Sequence, residues 1–178
     1  MQRLLDSCDR TGPVGIRDFA MLVLVARLGL RSVEVARLEL GDIDWRAGEI
    51  VVRGKARRRD SLPLVAEVGE ALSAHLSSPR RPTRLRQVFL VTKAPTRAIR
   101  ADLVSDVCRR ACERAGVPRV GAHRLRHALA TDMLRQGATL TEVSQVLRHR
   151  DLATTAIYAK VDFSSLRSVA QPWPGAAR

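Results

Sequence analysis

Residues 14–28 run Val14-Gly15-Ile16-Arg17-Asp18-Phe19-Ala20-Met21-Leu22-Val23-Leu24-Val25-Ala26-Arg27-Leu28. The run is too apolar and too long for an ordinary strand, and it predicts a buried helix that ends at Gly29. Ser32 then reads as the N-cap of a short helix over residues 33–38, with Glu34 in its first turn. Arg31 falls in the tight connection between the two helices, so its side chain projects from a base held on both sides.

Two short apolar runs come next, residues 48–54 and 61–64, separated by the basic stretch Lys55-Ala56-Arg57-Arg58-Arg59-Asp60. That pattern predicts a β-hairpin with Lys55 near its tip. Gln87-Val88-Phe89-Leu90-Val91 is expected to supply a third strand. Between hairpin and third strand, residues 65–76 read as a helix and residues 77–86, rich in Ser, Pro and Arg, as a loop. From residue 97 onward the pattern is helical, with segments at 98–115, 122–136, 140–147 and a short one at 154–160. Thr139 with Glu142 three residues later is a capping-box signature for the helix at 140–147. The order of helix pair, small sheet and helix cluster predicts an α+β fold, mostly helical, in which a helix cluster carries a small three-stranded antiparallel sheet.

The 178 residues fit one domain, or one domain with a tail, and 31 Lys and Arg against 18 Asp and Glu leave a net charge of +13. A polyanion is therefore the expected partner, and nucleic acid is the commonest one. No apolar run approaches the length of a spanning helix, and no terminus carries a strongly basic amphipathic helix, so a membrane partner is not expected. Met1-Gln2-Arg3-Leu4-Leu5-Asp6 lacks the features of a secretory signal, which makes a cytoplasmic, nucleoid-associated protein the expectation. Cys8, Cys108 and Cys112 have no disulfide-framework spacing. Cys108 and Cys112 are four apart, but nothing nearby completes a zinc ligand set, so they read as small buried side chains, and neither a metal nor a cofactor is expected.

Several side chains have chemical potential. His123 and Arg126, three apart at the start of a helix, share a face near unpaired amides and the positive end of the helix dipole, a setting that favours a phosphate. The same pair also fits a solvated basic face, since Arg124 and His127 repeat the spacing. Tyr158, the only tyrosine, is either a phenolic nucleophile or a half-buried packing residue. Arg31 could bridge to a nearby carboxylate. Lys55 could touch DNA backbone as one charge among Arg53, Arg57, Arg58 and Arg59. Considered jointly, two arginines, a lysine, histidines and a tyrosine supply what phosphoryl transfer demands: cations for the non-bridging oxygens, a nucleophile, and an acid for the leaving oxygen.

The set also resembles a known pattern. Gly29-Leu30-Arg31-Ser32 followed by Val33-Glu34 is similar to the GLR box of tyrosine recombinases. Gly54-Lys55 with Leu62-Pro63-Leu64 resembles that family's lysine-bearing hairpin, and His123-Arg124-Leu125-Arg126-His127 its H-x-x-R-H box. Leu147-Arg148-His149 followed by Thr154-Thr155-Ala156-Ile157-Tyr158 is similar to its terminal box, with Arg148 standing where the family usually has Gly. Four boxes occur in the family's order. The resemblance, to phage integrases and chromosome-dimer-resolving recombinases, implies Tyr158 as nucleophile forming a 3′-phosphotyrosine, and Arg31 and Arg126 as phosphate clamps. It further implies Lys55 as general acid, His123 in proton transfer and His149 on the phosphate.

The implied organisation is a catalytic domain over residues 1–162 and a C-terminal tail over 163–178, without the N-terminal DNA-clamping domain of the family. Within the tail Trp173, flanked by prolines, has the form of an interface anchor, docking on a neighbouring protomer or folding back on its own domain. The expected partners are double-stranded DNA and further copies of the chain, a tetramer on DNA and a monomer when free. Arg53, Arg57, Arg58, Arg59, Arg124 and Arg148 are expected to contact the DNA. Two other readings fit the sequence: a catalytically incompetent DNA-binding remnant or regulator, for which residues 139–149 could form part of a helix-turn-helix, and a type IB topoisomerase.

Overall fold

The computed structural model describes residues 1–54, 59–79 and 82–148. In chain order the elements are α1 (Gln2–Asp6), α2 (Pro13–Leu28), α3 (Ser32–Arg37), a single 3-10 turn (Leu40–Asp42), β1 (Ile43–Asp44), β2 (Glu49–Arg53), β3 (Arg59–Pro63), α4 (Ala66–Ser77), α5 (Ala101–Arg114), α6 (Ala122–Arg135) and α7 (Leu140–Leu147). Two compact units divide the chain, Met1–Leu129 and the part from Ala130 onward. The α+β architecture with helix dominating matches the expectation from sequence.

α2 is the centre of the first unit. Every residue from Phe19 to Ala26 is buried, because a helix without a polar face must be covered on all sides, and α4 and α5 pack against it. The two charges at its start are accommodated as a network: Arg17 donates to Asp18 Oδ1 through Nε at 3.0 Å and Nη2 at 2.7 Å, and Arg110 reaches Asp18 Oδ2 at 3.2 Å. Burial without such pairing would be costly. The helix ends as the sequence predicts, at Gly29 in the left-handed conformation with φ 58°, a region where glycine escapes the steric cost of a Cβ.

The sheet is three-stranded and antiparallel, in the order β1-β2-β3, with Ile50 opposite both Ile43 and Leu62 and Arg53 opposite Arg59. Its third strand is not the one expected. Residues 87–91 form only single bridges, Glu39 to Gln87 and Leu90 to Ala98, and β1 takes the edge of the sheet instead. The physical reason lies in burial. Val88 and Phe89 are consecutive and both essentially inaccessible, at 1% and 0%, whereas a strand with one solvated face alternates. Val88 and Phe89 form a buried crossing, the Val88 amide donating to the Leu38 carbonyl and the Phe89 carbonyl accepting from the Ile99 amide.

Two helix starts also shift. α3 begins at Ser32 and its N-cap is Arg31, one residue earlier than expected. α5 begins at Ala101 rather than Ala98, since Ala98 and Ile99 are held extended against Leu90 and Phe89. α1 has no counterpart in the sequence reading; it is too short for periodicity to announce it, and it is held by burial of Leu4 and Leu5 and by Arg3 Nη2 on the Ala115 carbonyl at 2.9 Å.

In the second unit, α7 carries the anticipated capping box: the Glu142 amide donates to Thr139 Oγ1 at 3.2 Å and the Glu142 carboxylate accepts from the Thr139 amide at 2.7 Å. The helix expected at residues 154–160 lies outside the described residues.

Candidate active site

The turn after α2 is built to present Arg31. Leu30 is fully buried and its amide closes on the Leu24 carbonyl at 3.3 Å, which anchors the residue before the arginine. One carboxylate, that of Glu34, then binds Arg31 twice: Oε2 accepts from the backbone amide at 2.7 Å and Oε1 from Nη1 at 2.8 Å. Glu34 is buried while the Arg31 side chain keeps 44% of its surface exposed. The guanidinium is thus oriented from within the protein and open to solvent on its far side.

Glu34 is the functional residue that sequence reasoning undervalued, having been assigned only to the first turn of a helix. Its signal was the i, i+3 spacing from Arg31, the spacing at which an acidic side chain reaches back to an N-cap amide. Ser32 Oγ and Ser105 Oγ, 3.2 Å apart, join the same turn to α5. Replacing Glu34 by alanine leaves the Arg31 amide without its acceptor and is expected to destabilise the protein by about 1–3 kcal/mol. Urea unfolding checks this as a lowered midpoint at unchanged slope.

α6 supplies the second arginine. Its first turn alternates exposed His123 and Arg124 with buried Leu125 and Arg126, as expected where a helix face meets a core. Arg126 is only 2% exposed, and its Nη1 donates to the carbonyl oxygen of Gly29. That carbonyl belongs to the residue two before Arg31, and the Gly29 and Arg31 Cα atoms lie within about 7.6 Å of each other. The two arginines singled out from sequence are therefore brought to one turn.

His123 lies on α6 one turn before His127, and the two rings meet: their Nε2 atoms are 2.7 Å apart and the rings are nearly perpendicular, with centroids 4.3 Å apart. One ring donates its N–H to the lone pair of the other. His127 titrates below its usual range, first because burial disfavours its charged form and then because His123, Arg124 and Arg126 add positive charge.

The basic residues of the hairpin divide. Arg53 is tied down, with Nε to Asp42 Oδ1 at 3.0 Å and Nη2 to Glu39 Oε2 at 2.9 Å, and the hydrogen bond to Asp42 is the main reason its pKa is raised. Arg59, its cross-strand partner, is exposed. A groove of about 480 Å³ beside them is lined by Val33, Arg37, Arg53 and Arg100 among others. Arg37 and Arg100 were not anticipated. Arg37 stands one turn after the exposed Val33 on α3, an i, i+4 pairing that marks the solvent face of that helix. Lys55, Arg57 and Arg58, and also His149 and Tyr158, lie outside the described residues.

Cys108 and Cys112 are completely buried on α5, and burial pushes the Cys108 thiol up to about 12. They are core side chains, as their spacing suggested. Among the described residues, no group of three or more His, Cys, Asp or Glu is arranged to hold a metal ion, and no helix is long and apolar enough to cross a membrane.

The profile of the phage integrase family matches residues 1–165. The chain belongs to the phage integrase family. A Sinorhizobium fredii protein named as the integrase/recombinase y4rA is 51% identical over 181 residues, covering 100% of this chain and 44% of that protein. The tyrosine recombinase XerC of Shewanella oneidensis is 32% identical over 161 residues, which are 90% of this chain and 53% of the relative. Among solved structures, the XerH site-specific recombinase bound to palindromic difH substrate in a post-cleavage complex superposes with a TM-score of 0.82 at 25% identity, over 97% of this chain and 51% of that one. The chain thus spans about half the length of these relatives.

Arg148 is the point at which this integrase-family chain departs from the glycine of the terminal box. It caps α7 in the left-handed conformation, φ 52° and ψ 46°, the backbone geometry for which glycine is suited. Its side chain is buried and Nη1 donates to the Val146 carbonyl at 3.1 Å. The arginine keeps the turn that a glycine would make and uses its side chain to satisfy one of the last carbonyls of the helix.

Proposed function

We propose that this integrase-family chain cleaves and rejoins double-stranded DNA through a 3′-phosphotyrosine, in site-specific recombination or the integration of a mobile element. The observation that carries the proposal is the tether of buried Arg126 to the Gly29 carbonyl, beside an Arg31 held by Glu34 and facing solvent. The Arg126 guanidinium, from a distant part of the chain, reaches the turn that carries Arg31, which supports a reading in which both serve a phosphodiester whose non-bridging oxygens gain charge during substitution.

In this reading the phenolic oxygen of Tyr158 attacks phosphorus as His123 assists removal of its proton. The bond from phosphorus to the 5′-oxygen breaks, Lys55 protonates that oxygen, and His149 hydrogen-bonds the phosphate. The phosphotyrosine retains the energy of the broken bond, so a 5′-hydroxyl from another duplex reverses the step. Arg59, Arg124 and the groove holding Arg37, Arg53 and Arg100 supply phosphate contacts along the duplex, and Arg57 and Arg58 add to them. Arg148 contributes through the α7 cap and its positive charge. Residues 1–162 form the catalytic domain and 163–178 a tail that docks on a neighbouring protomer, with four copies assembling on DNA in the cytoplasm.

The test incubates the protein with nicked suicide duplexes tiled across the DNA that flanks its gene. A denaturation-resistant adduct whose DNA-bearing peptide contains Tyr158 is the expected result. Attachment at any other residue overturns the assignment of the nucleophile.

A further inference from the structure

We infer that His123 and His127 form a two-nitrogen chelating site for a divalent d-block cation, zinc or copper(II), on α6, and that occupancy of this site inhibits strand cleavage. The binding is argued from the placement of the two rings, whereas the inhibition rests on the role proposed for His123.

Histidines at i and i+4 project from one side of a helix, the spacing by which helices offer two imidazoles to one zinc ion. Here the convergence is visible in atoms, since both rings direct Nε2 at the same point, 2.7 Å from each other. A tetrahedral ion bonded to each nitrogen at 2.0–2.1 Å requires a separation of about 3.3 Å. Small rotations of the two rings open that gap. The N–H···N bond is replaced as the donor ring moves its proton from Nε2 to Nδ1, so that two neutral rings present two lone pairs and no net proton is released. Solvent completes the coordination sphere, and the exposure of His123 gives the ion access.

Two neighbours set the selectivity. Arg124 and Arg126 lie between the two histidines in sequence, and their positive charge opposes ions such as magnesium and calcium, which bind through charge and oxygen ligands. A d-block ion gains instead from its bond to imidazole nitrogen, most strongly for copper(II). The thiols do not compete, because Cys8, Cys108 and Cys112 are buried and the metal ligand is the thiolate, a form that burial opposes at Cys8 and Cys108. An ion held at Nε2 of His123 occupies the lone pair that would take the tyrosine proton.

Titration of the full chain with zinc chloride against a chromogenic zinc indicator, repeated with magnesium chloride, tests the binding. One zinc per chain is expected, with no magnesium binding, and at least about a tenfold loss of zinc affinity in each of His123→Gln and His127→Gln, the lower bound of what the loss of even an outer partner costs. His149→Gln should bind as the parent does. Circular dichroism establishes that the two surface-ring variants remain folded. Zinc binding that is unchanged in His127→Gln, or that disappears in His149→Gln, overturns the site. In the suicide-duplex reaction, zinc should suppress adduct formation over the concentration range of binding in the parent and not in His127→Gln. Full adduct formation with the site occupied overturns the inhibitory role and leaves the binding result standing.

Discussion

Tyr158→Phe is expected to yield no covalent protein–DNA adduct while binding DNA with nearly the affinity of the parent. The substitution removes one oxygen atom and keeps the aromatic ring, so packing around position 158 loses little. The chemistry loses its nucleophile entirely. Affinity is set largely by the release of counterions from phosphates met by Lys and Arg, and this chain carries a net charge of +13, none of it contributed by the phenol. The two readouts therefore separate: gel-shift affinity across a salt series should retain its slope, while the denaturation-resistant band disappears. A band of parental intensity in the variant would remove Tyr158 from the mechanism, and loss of DNA binding along with the band would point to a structural role for the ring.

What the sequence made legible follows from which forces act locally. The course of α2, its end at Gly29 and the capping box of Thr139 and Glu142 are set within a few residues, by continuous apolarity, by a left-handed backbone and by a three-residue reach. The third strand is not legible locally, because Val88 and Phe89 have the composition of a strand and only tertiary burial distinguishes a crossing segment from an edge. The candidate site divides in the same way. Arg31, His123 and Arg126 could be named from their local settings, and Glu34 had a spacing signal that passed unused. The contact from Arg126 to the Gly29 carbonyl joins positions 97 residues apart. No periodicity encodes such a contact. The pairing of His123 with His127 was visible as i, i+4 spacing, but its meaning depended on where the rings turn.

Arg126→Ala is expected to lower the rate of adduct formation by about 10²–10³-fold, the usual consequence of deleting a preorganised donor that stabilises developing charge. It should also lower stability by about 1–3 kcal/mol, because the buried Gly29 carbonyl loses the arginine that donates to it. The combination distinguishes Arg126 from a surface cation such as Arg124, whose removal should reduce the salt dependence of DNA binding by about one unit of slope and leave the unfolding midpoint where it was. Arg126→Lys sharpens the comparison. Lysine keeps the charge but has no planar fork, so it cannot hold a backbone carbonyl with one nitrogen while offering another, coplanar with it, to a phosphate. The lysine variant should therefore recover DNA affinity more fully than cleavage. Parental cleavage rates in Arg126→Lys would mean that charge alone suffices at this position and that the tether to Gly29 serves the fold rather than the chemistry.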